Sequence, residues 1–152
     1  MTLTRRSFTA LVVARFALPA FAASEPRWFN AGDDLAASGR DVVAYFNLSG
    51  GDGVLGRSEF MMKHKGTTLH FANAENLATF QADPDKYAPR FGGYCAYAVS
   101  KGGTATTQPD TWTIHEGKLY LNFNLTVRDI WRQDISGNVA KADANWPSVL
   151  EA

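Results

Sequence analysis

The partly apolar stretches at residues 59–64 and 67–72 flank Lys65-Gly66, which has the composition of a two-residue hairpin turn between two strands. Folding the chain there sets His64 opposite Thr67, Met62 opposite Leu69 and Phe60 opposite Phe71 as one apolar face. Met61, Lys63, Thr68 and His70 then lie on the other face. Beyond the hairpin the period lengthens. Asn73 is a candidate N-cap, and Leu77 and Phe80 lie three residues apart on one helical face, so a helix is predicted that Asp83-Pro84 ends. A strand is predicted over 94–99, and a second hairpin over 112–115 and 118–122 around Glu116-Gly117, with Trp112, Ile114, Leu119 and Leu121 on its apolar face. After the candidate cap Asn124, residues Val127, Ile130 and Trp131 keep i, i+3, i+4 spacing, which predicts a helix broken at Gly137 and followed by a closing segment over 140–150. Upstream, residues 41–48 (DVVAYFNL) read as a short strand. The glycines that follow, Gly50, Gly51, Gly53 and Gly56, lack the Gly-Lys-Ser/Thr of a phosphate loop and read as a plain loop. The expected fold is a small single-domain α+β structure, hairpins packed with a central helix and C-terminal helices.

The first 22 residues follow a different pattern. Arg5 and Arg6 precede Ser7, Phe8 and an apolar run broken by Arg15 and Pro19, and the run closes on Ala20, Phe21 and Ala22, a small-residue cleavage pattern. The run is too short for a membrane helix. Adjacent arginines followed by Ser-Phe resemble a twin-arginine secretory signal, so periplasmic localisation is expected for a mature chain of residues 23–152. Without a cysteine near the cleavage point, no lipid anchor is expected, and the mature form is expected to carry no stable membrane anchor. Removing residues 1–22 leaves 12 basic against 15 acidic residues, a net charge of −3, which argues against a nucleic-acid partner. A single cysteine, Cys95, rules out an intramolecular disulfide, so stability must come from a core rich in the ten Phe, five Tyr and four Trp.

The hairpin and helix KGTTLHFANAENLATFQADPDKY resemble the YHS domain, whose helix ends in an F-x-x-(N/D)-P-x-x-(Y/F) signature, here Phe80, Asp83, Pro84 and Tyr87. FGGYCAYAVS at 91–100, Trp112 to Ile114, GKLYLNFN at 117–124 and KADANWPSVL at 141–150 are similar to the exported bacterial branch called YHS domain-containing (seleno)proteins. In that branch an AxxGYDPVAYF stretch is common, and ASGRDVVAYF here is a divergent form of it. The resemblance spans residues 36–150 and implies a YHS-type domain over 23–152 with the helix after the first hairpin at its centre. YHS domains of metal-transporting proteins commonly place cysteines beside the hairpin and in the first helical turn. Ala72 and Asn76 stand at those positions here, and neither supplies a thiolate.

The resemblance therefore directs attention to Cys95, the position at which, as the family name implies, some members carry selenocysteine. Selenium is useful where a chalcogenolate reacts or binds a soft metal. Read from the residues alone, a lone cysteine is more often a small buried packing residue. Three readings stay open. Cys95 is the metal ligand of a binding module for copper or another soft metal; or it is the catalytic thiol of a redox protein that uses a thiol partner protein; or it is buried in a structural interaction domain. The Met/His-rich stretch MMKHKGTTLH does not form a joint metal site in the predicted register, because Met62 and His64 face one side and Met61 and His70 the other. His115 is expected at the tip of the second hairpin, and a histidine at such a solvent-rich end needs no special role. Nothing in the chain has HxH, HxxxH or CxxC spacing.

Overall fold

The computed structural model describes residues 28–30 and 34–151; the proposed signal segment lies outside the described residues. Strand β1 (Arg57–His64) pairs antiparallel with β2 (Thr67–Phe71) around a turn in which Lys65 and Gly66 both take positive φ (47° and 79°), the twist-matched geometry of a two-residue hairpin. Near the turn the register is the one predicted, His64 with Thr67 and Met62 with Leu69. Toward the open end a bulge between Arg57 and Met61 shifts the pairing, so Phe71 faces Arg57 instead of Phe60. Phe60 still packs against the core, half-buried, with the Arg57 guanidinium 5.5 Å from its ring centre.

Helix α1 (Ala74–Ala82) begins where predicted, with the Asn73 side chain accepting from the Asn76 backbone N–H at 2.8 Å. It buries Phe80 completely, between the His64 and Phe71 rings at 5.3 Å from each. Asp83 closes it and caps α2 (Pro84–Tyr87), whose first position is the proline.

Two predicted strands are not strands. Residues 41–48 form a turn and a 3-10 helix (Ala44–Asn47), because Asp41 Oδ1 accepts from the Val43 and Ala44 N–H groups at 2.9 and 3.1 Å and so closes the backbone on itself. Residues 94–99 contain helix α3 (Ala96–Ser100) instead. The chain enters it through a left-handed turn, Phe91, Gly92 and Gly93 at φ 54°, 58° and 79°, and the buried Ala96, Val99 and Ser100 have helical spacing. Helix α3 packs against the C-terminal helix, and the Asn145 side chain donates to the Val99 carbonyl at 2.8 Å.

The second hairpin, β3 (Trp112–His115) and β4 (Lys118–Leu121), has the predicted register and turn. Strand β4 separates two clusters of buried side chains. Leu119 and Leu121 point into the first, with Val42, Tyr45, Leu69, Phe71, Phe80 and Trp112. Tyr120, on the opposite face of the pleat, points into the second, with Phe91, Val99, Trp131 and Ala142.

Helix α4 (Leu125–Gln133) starts at Asn124, which accepts from Val127 N–H at 2.8 Å. The break after it comes before Gly137. Asp134 is extended (φ −150°) and caps α5 (Ile135–Asn145) by accepting from Gly137 N–H at 3.0 Å. A Cβ at Gly137 would sit 2.2 Å from that carboxylate, so the glycine completes the cap of a new helix and does not break the old one. The whole is a small single-domain α+β fold of two antiparallel hairpins, with α1, α2 and α3 between them in sequence and α4 and α5 after them.

Candidate functional site

Cys95 stands at the mouth of α3, and its side chain is inside the protein. The residue is 1% exposed; its N–H donates to the Ala105 carbonyl at 3.0 Å, and the backbone bridges to Leu121 of β4. The polar group placed on its sulfur is the Asn122 carboxamide, with Nδ2 3.9 Å from Sγ. Asn122 is fully buried and its Oδ1 has no hydrogen-bond partner among the described residues. Its backbone is fixed by Thr111 and Gln108, which donate to the Asn122 carbonyl. The thiol therefore sits in a buried, packed position against one amide. Cys95 does not lie on the strand expected over 94–99, because it caps α3, which takes that strand's place.

The histidines stay on the two hairpins. His64 is half-buried at its hairpin end. It packs edge-on between Trp28 and Phe80, each ring 5.3 Å away. His70 pairs with Met61 across the outer face of the first hairpin, and His115 lies 4.0 Å from the Glu116 carboxylate at the tip of the second. Among the described residues, no three or more His, Cys, Asp or Glu side chains form a group that could hold a metal ion.

Ala72 and Asn76 are brought together, by a third residue. Asp41 Oδ2 accepts from the Ala72 N–H at 2.8 Å and from Asn76 Nδ2 at 2.6 Å, while Oδ1 is taken by Val43 and Ala44. Where the resembled family would place two thiolates, this chain has a buried carboxylate whose two oxygens both accept from amides.

A cleft of about 180 Å3 opens where the segment at Trp28, the tip of the first hairpin, α2, the left-handed turn and the end of α5 meet. Trp28, Phe91 and Trp146 give it aromatic walls; Lys65, Asp85 and Arg90 give it charge. The Phe29 N–H donates to the Gly92 carbonyl at 2.8 Å and pins the Trp28 segment to the turn. Trp146 meets the Phe91 ring at 6.0 Å and the Tyr94 ring at 6.1 Å. Arg90 lies over the Phe91 ring at 5.3 Å and its Nη2 is ion-paired with Asp143. Behind this wall, burial pushes the Tyr120 phenol pKa up, and the nearby Arg90 partly opposes the shift.

Phe91 is the unusual member. A bulky residue at φ 54° is sterically disfavoured, and such strain persists where surrounding structure enforces it, often at binding sites. Sequence reading passed over this cleft, since its walls come from residues as far apart as 28 and 146. The available signal was the FGG triplet. Its two glycines announce a left-handed turn, which would carry the neighbouring aromatic with it. Compared with known protein families, curated proteins and solved structures, the chain matches none.

Proposed function

We propose that this chain is an exported, non-enzymatic binding module of YHS type that takes its ligand in the cleft between Trp28 and Trp146, with Cys95 serving the core. The observation that carries the reading is the convergence on one cleft of three aromatic walls, charged side chains and the strained backbone of Phe91. Residues 36–150 support the YHS assignment by their likeness to that family, and the twin-arginine-like segment at Arg5 and Arg6 supports placement in the periplasm. Among the described residues no helix is long and apolar enough to cross a membrane.

The four tryptophans make the reading testable by indole N–H signals in heteronuclear NMR. Trp28 and Trp146 line the cleft, whereas Trp112 and Trp131 do not. Screening small ring-containing fragments should shift the first pair and leave the second in place. If binders move Trp112 or Trp131 instead, or none moves Trp28 and Trp146, the cleft is not the site.

A second reading keeps chemistry at Cys95, as a ligand for copper or another soft metal or as a thiol that pairs with a partner protein. It is favoured by the Asn122 amide, whose Nδ2 donates toward the sulfur at 3.9 Å. Its test is the accessibility of the thiol to alkylation in the folded protein.

A further inference from the structure

We infer that the ligand of the cleft is a single aromatic ring carrying a carboxylate, bound through the Arg90 guanidinium; this rests on the cleft being the binding site. The volume sets the scale: about 180 Å3 is close to the roughly 150 Å3 of an apolar cavity that admits benzene, and well below a drug-sized pocket. Room exists for one ring. The walls suit it, because Trp28, Phe91 and Trp146 offer edges and faces for offset or edge-on packing.

Charge sets the second requirement. Of the charged side chains that line the cleft, Lys65 and Arg90 are cations and Asp85 an anion, and Arg90 is shared with Asp143. Asp143 engages Nη2 of Arg90, and among the described residues Nε of the same fork has no hydrogen-bond partner but is itself buried, which leaves Nη1 as the donor open to a ligand. A guanidinium has five donors in a planar fork that matches a carboxylate, so Arg90 holds Asp143 and retains donors for a second anion. Its guanidinium carbon lies 5.3 Å from the centre of the Phe91 ring, which ties the charge to the ring-binding wall. Asp85 at the rim disfavours a dianion and fits a ligand with one negative charge.

An aromatic carboxylate has two sources, a free aromatic acid or the C-terminus of a peptide that ends in an aromatic residue. Both are read by titrating the purified protein and following the Trp28 and Trp146 indole signals. 3-Phenylpropionate should saturate these shifts, and 3-phenylpropanol, the same ring without the charge, should bind about tenfold more weakly or worse. Arg90→Gln should remove that difference. Asp143→Asn, which frees Nη2, should tighten 3-phenylpropionate. A peptide acetyl-Gly-Gly-Phe that binds more tightly than 3-phenylpropionate, and loses this when amidated, identifies a peptide terminus; weaker binding identifies a free acid. Equal binding of the acid and the alcohol at these two tryptophans overturns the carboxylate assignment and leaves the cleft as the site. Failure of every ring compound to move either signal overturns both.

Discussion

Asp41 and Asn76, 35 residues apart, are joined by a 2.6 Å hydrogen bond from the Asn76 side chain to Oδ2 of a fully buried carboxylate. The same carboxylate ties down Val43, Ala44 and Ala72, so one side chain holds the segment before β1 against the end of β2 and the start of α1. Asp41→Asn turns one acceptor oxygen into an NH2 group that faces amide donors. Hydrogen bonds to a charged group contribute about 1.5–3 kcal/mol each, so we expect a loss of about 3 kcal/mol or more, read as a shift of the urea midpoint at constant slope. A variant as stable as the parent would show that this knot is incidental to the fold.

Phe80 gives the second prediction. It is fully buried and touches the His64 and Phe71 rings from a helix whose start is fixed by Asn73. Phe80→Ala should lower stability by about 3–5 kcal/mol, whereas His115→Ala, at a half-buried hairpin tip, should change it by no more than about 0.5 kcal/mol. Thermal melts of the two variants check the contrast, and equal melting points would remove α1 from the core.

These contrasts show which parts of the molecule were legible in the sequence. Both hairpin turns and the caps at Asn73 and Asn124 are local, since each bond spans a few residues, and the structure has them where they were read. Residues 41–48 misled because an apolar run looks the same whether or not Asp41 bends it, and that carboxylate is held by partners 31 and 35 residues away. At 94–99 the deciding feature is Phe91 at positive φ, which a phenylalanine does not announce and only the Gly92-Gly93 pair beside it signals. The site was the least legible part. The cleft gathers the segment at Trp28 and the end of α5, and the environment of Cys95 depends on Asn122, 27 residues on.

Tyr45 makes stability depend on alkaline pH. It is fully buried, donates from its hydroxyl to the Pro109 carbonyl at 3.0 Å and lies 5.6 Å from the Trp112 ring. Burial, opposed in part by Arg40, pushes its pKa far above the ordinary phenol value of 10.0. The folded state thus holds the proton that the unfolded chain releases near pH 10. The contribution is whole below that value and falls by about 1.4 kcal/mol per pH unit above it, toward the raised folded value. Tyr45→Phe should therefore be less stable than the parent at pH 7, by about 0.5–1.5 kcal/mol for the lost hydrogen bond, and should lose less on going to pH 11. Urea unfolding at the two pH values measures both, and identical losses in the two proteins would contradict the assignment to Tyr45.

Cys95 decides between the two functional readings. At 1% exposure, packed against Asn122 and bridged to β4, the thiol should resist iodoacetamide in the folded protein and react once urea unfolds it. Cys95→Ala should cost about 1–2 kcal/mol through lost packing and leave binding in the cleft intact, because none of the cleft residues is Cys95. Soft-metal or redox chemistry demands the opposite pattern. A working thiolate would label rapidly with an apparent pKa below about 8.5, and stoichiometric Cu(I) under strict exclusion of oxygen would protect it; that protection would vanish in Cys95→Ser. A redox thiol would also label rapidly, but would gain no protection from Cu(I) and would form a mixed disulfide with a small thiol. Slow labelling that tracks the unfolding rate supports the buried residue, and fast labelling with either signature moves the function from the cleft to the sulfur.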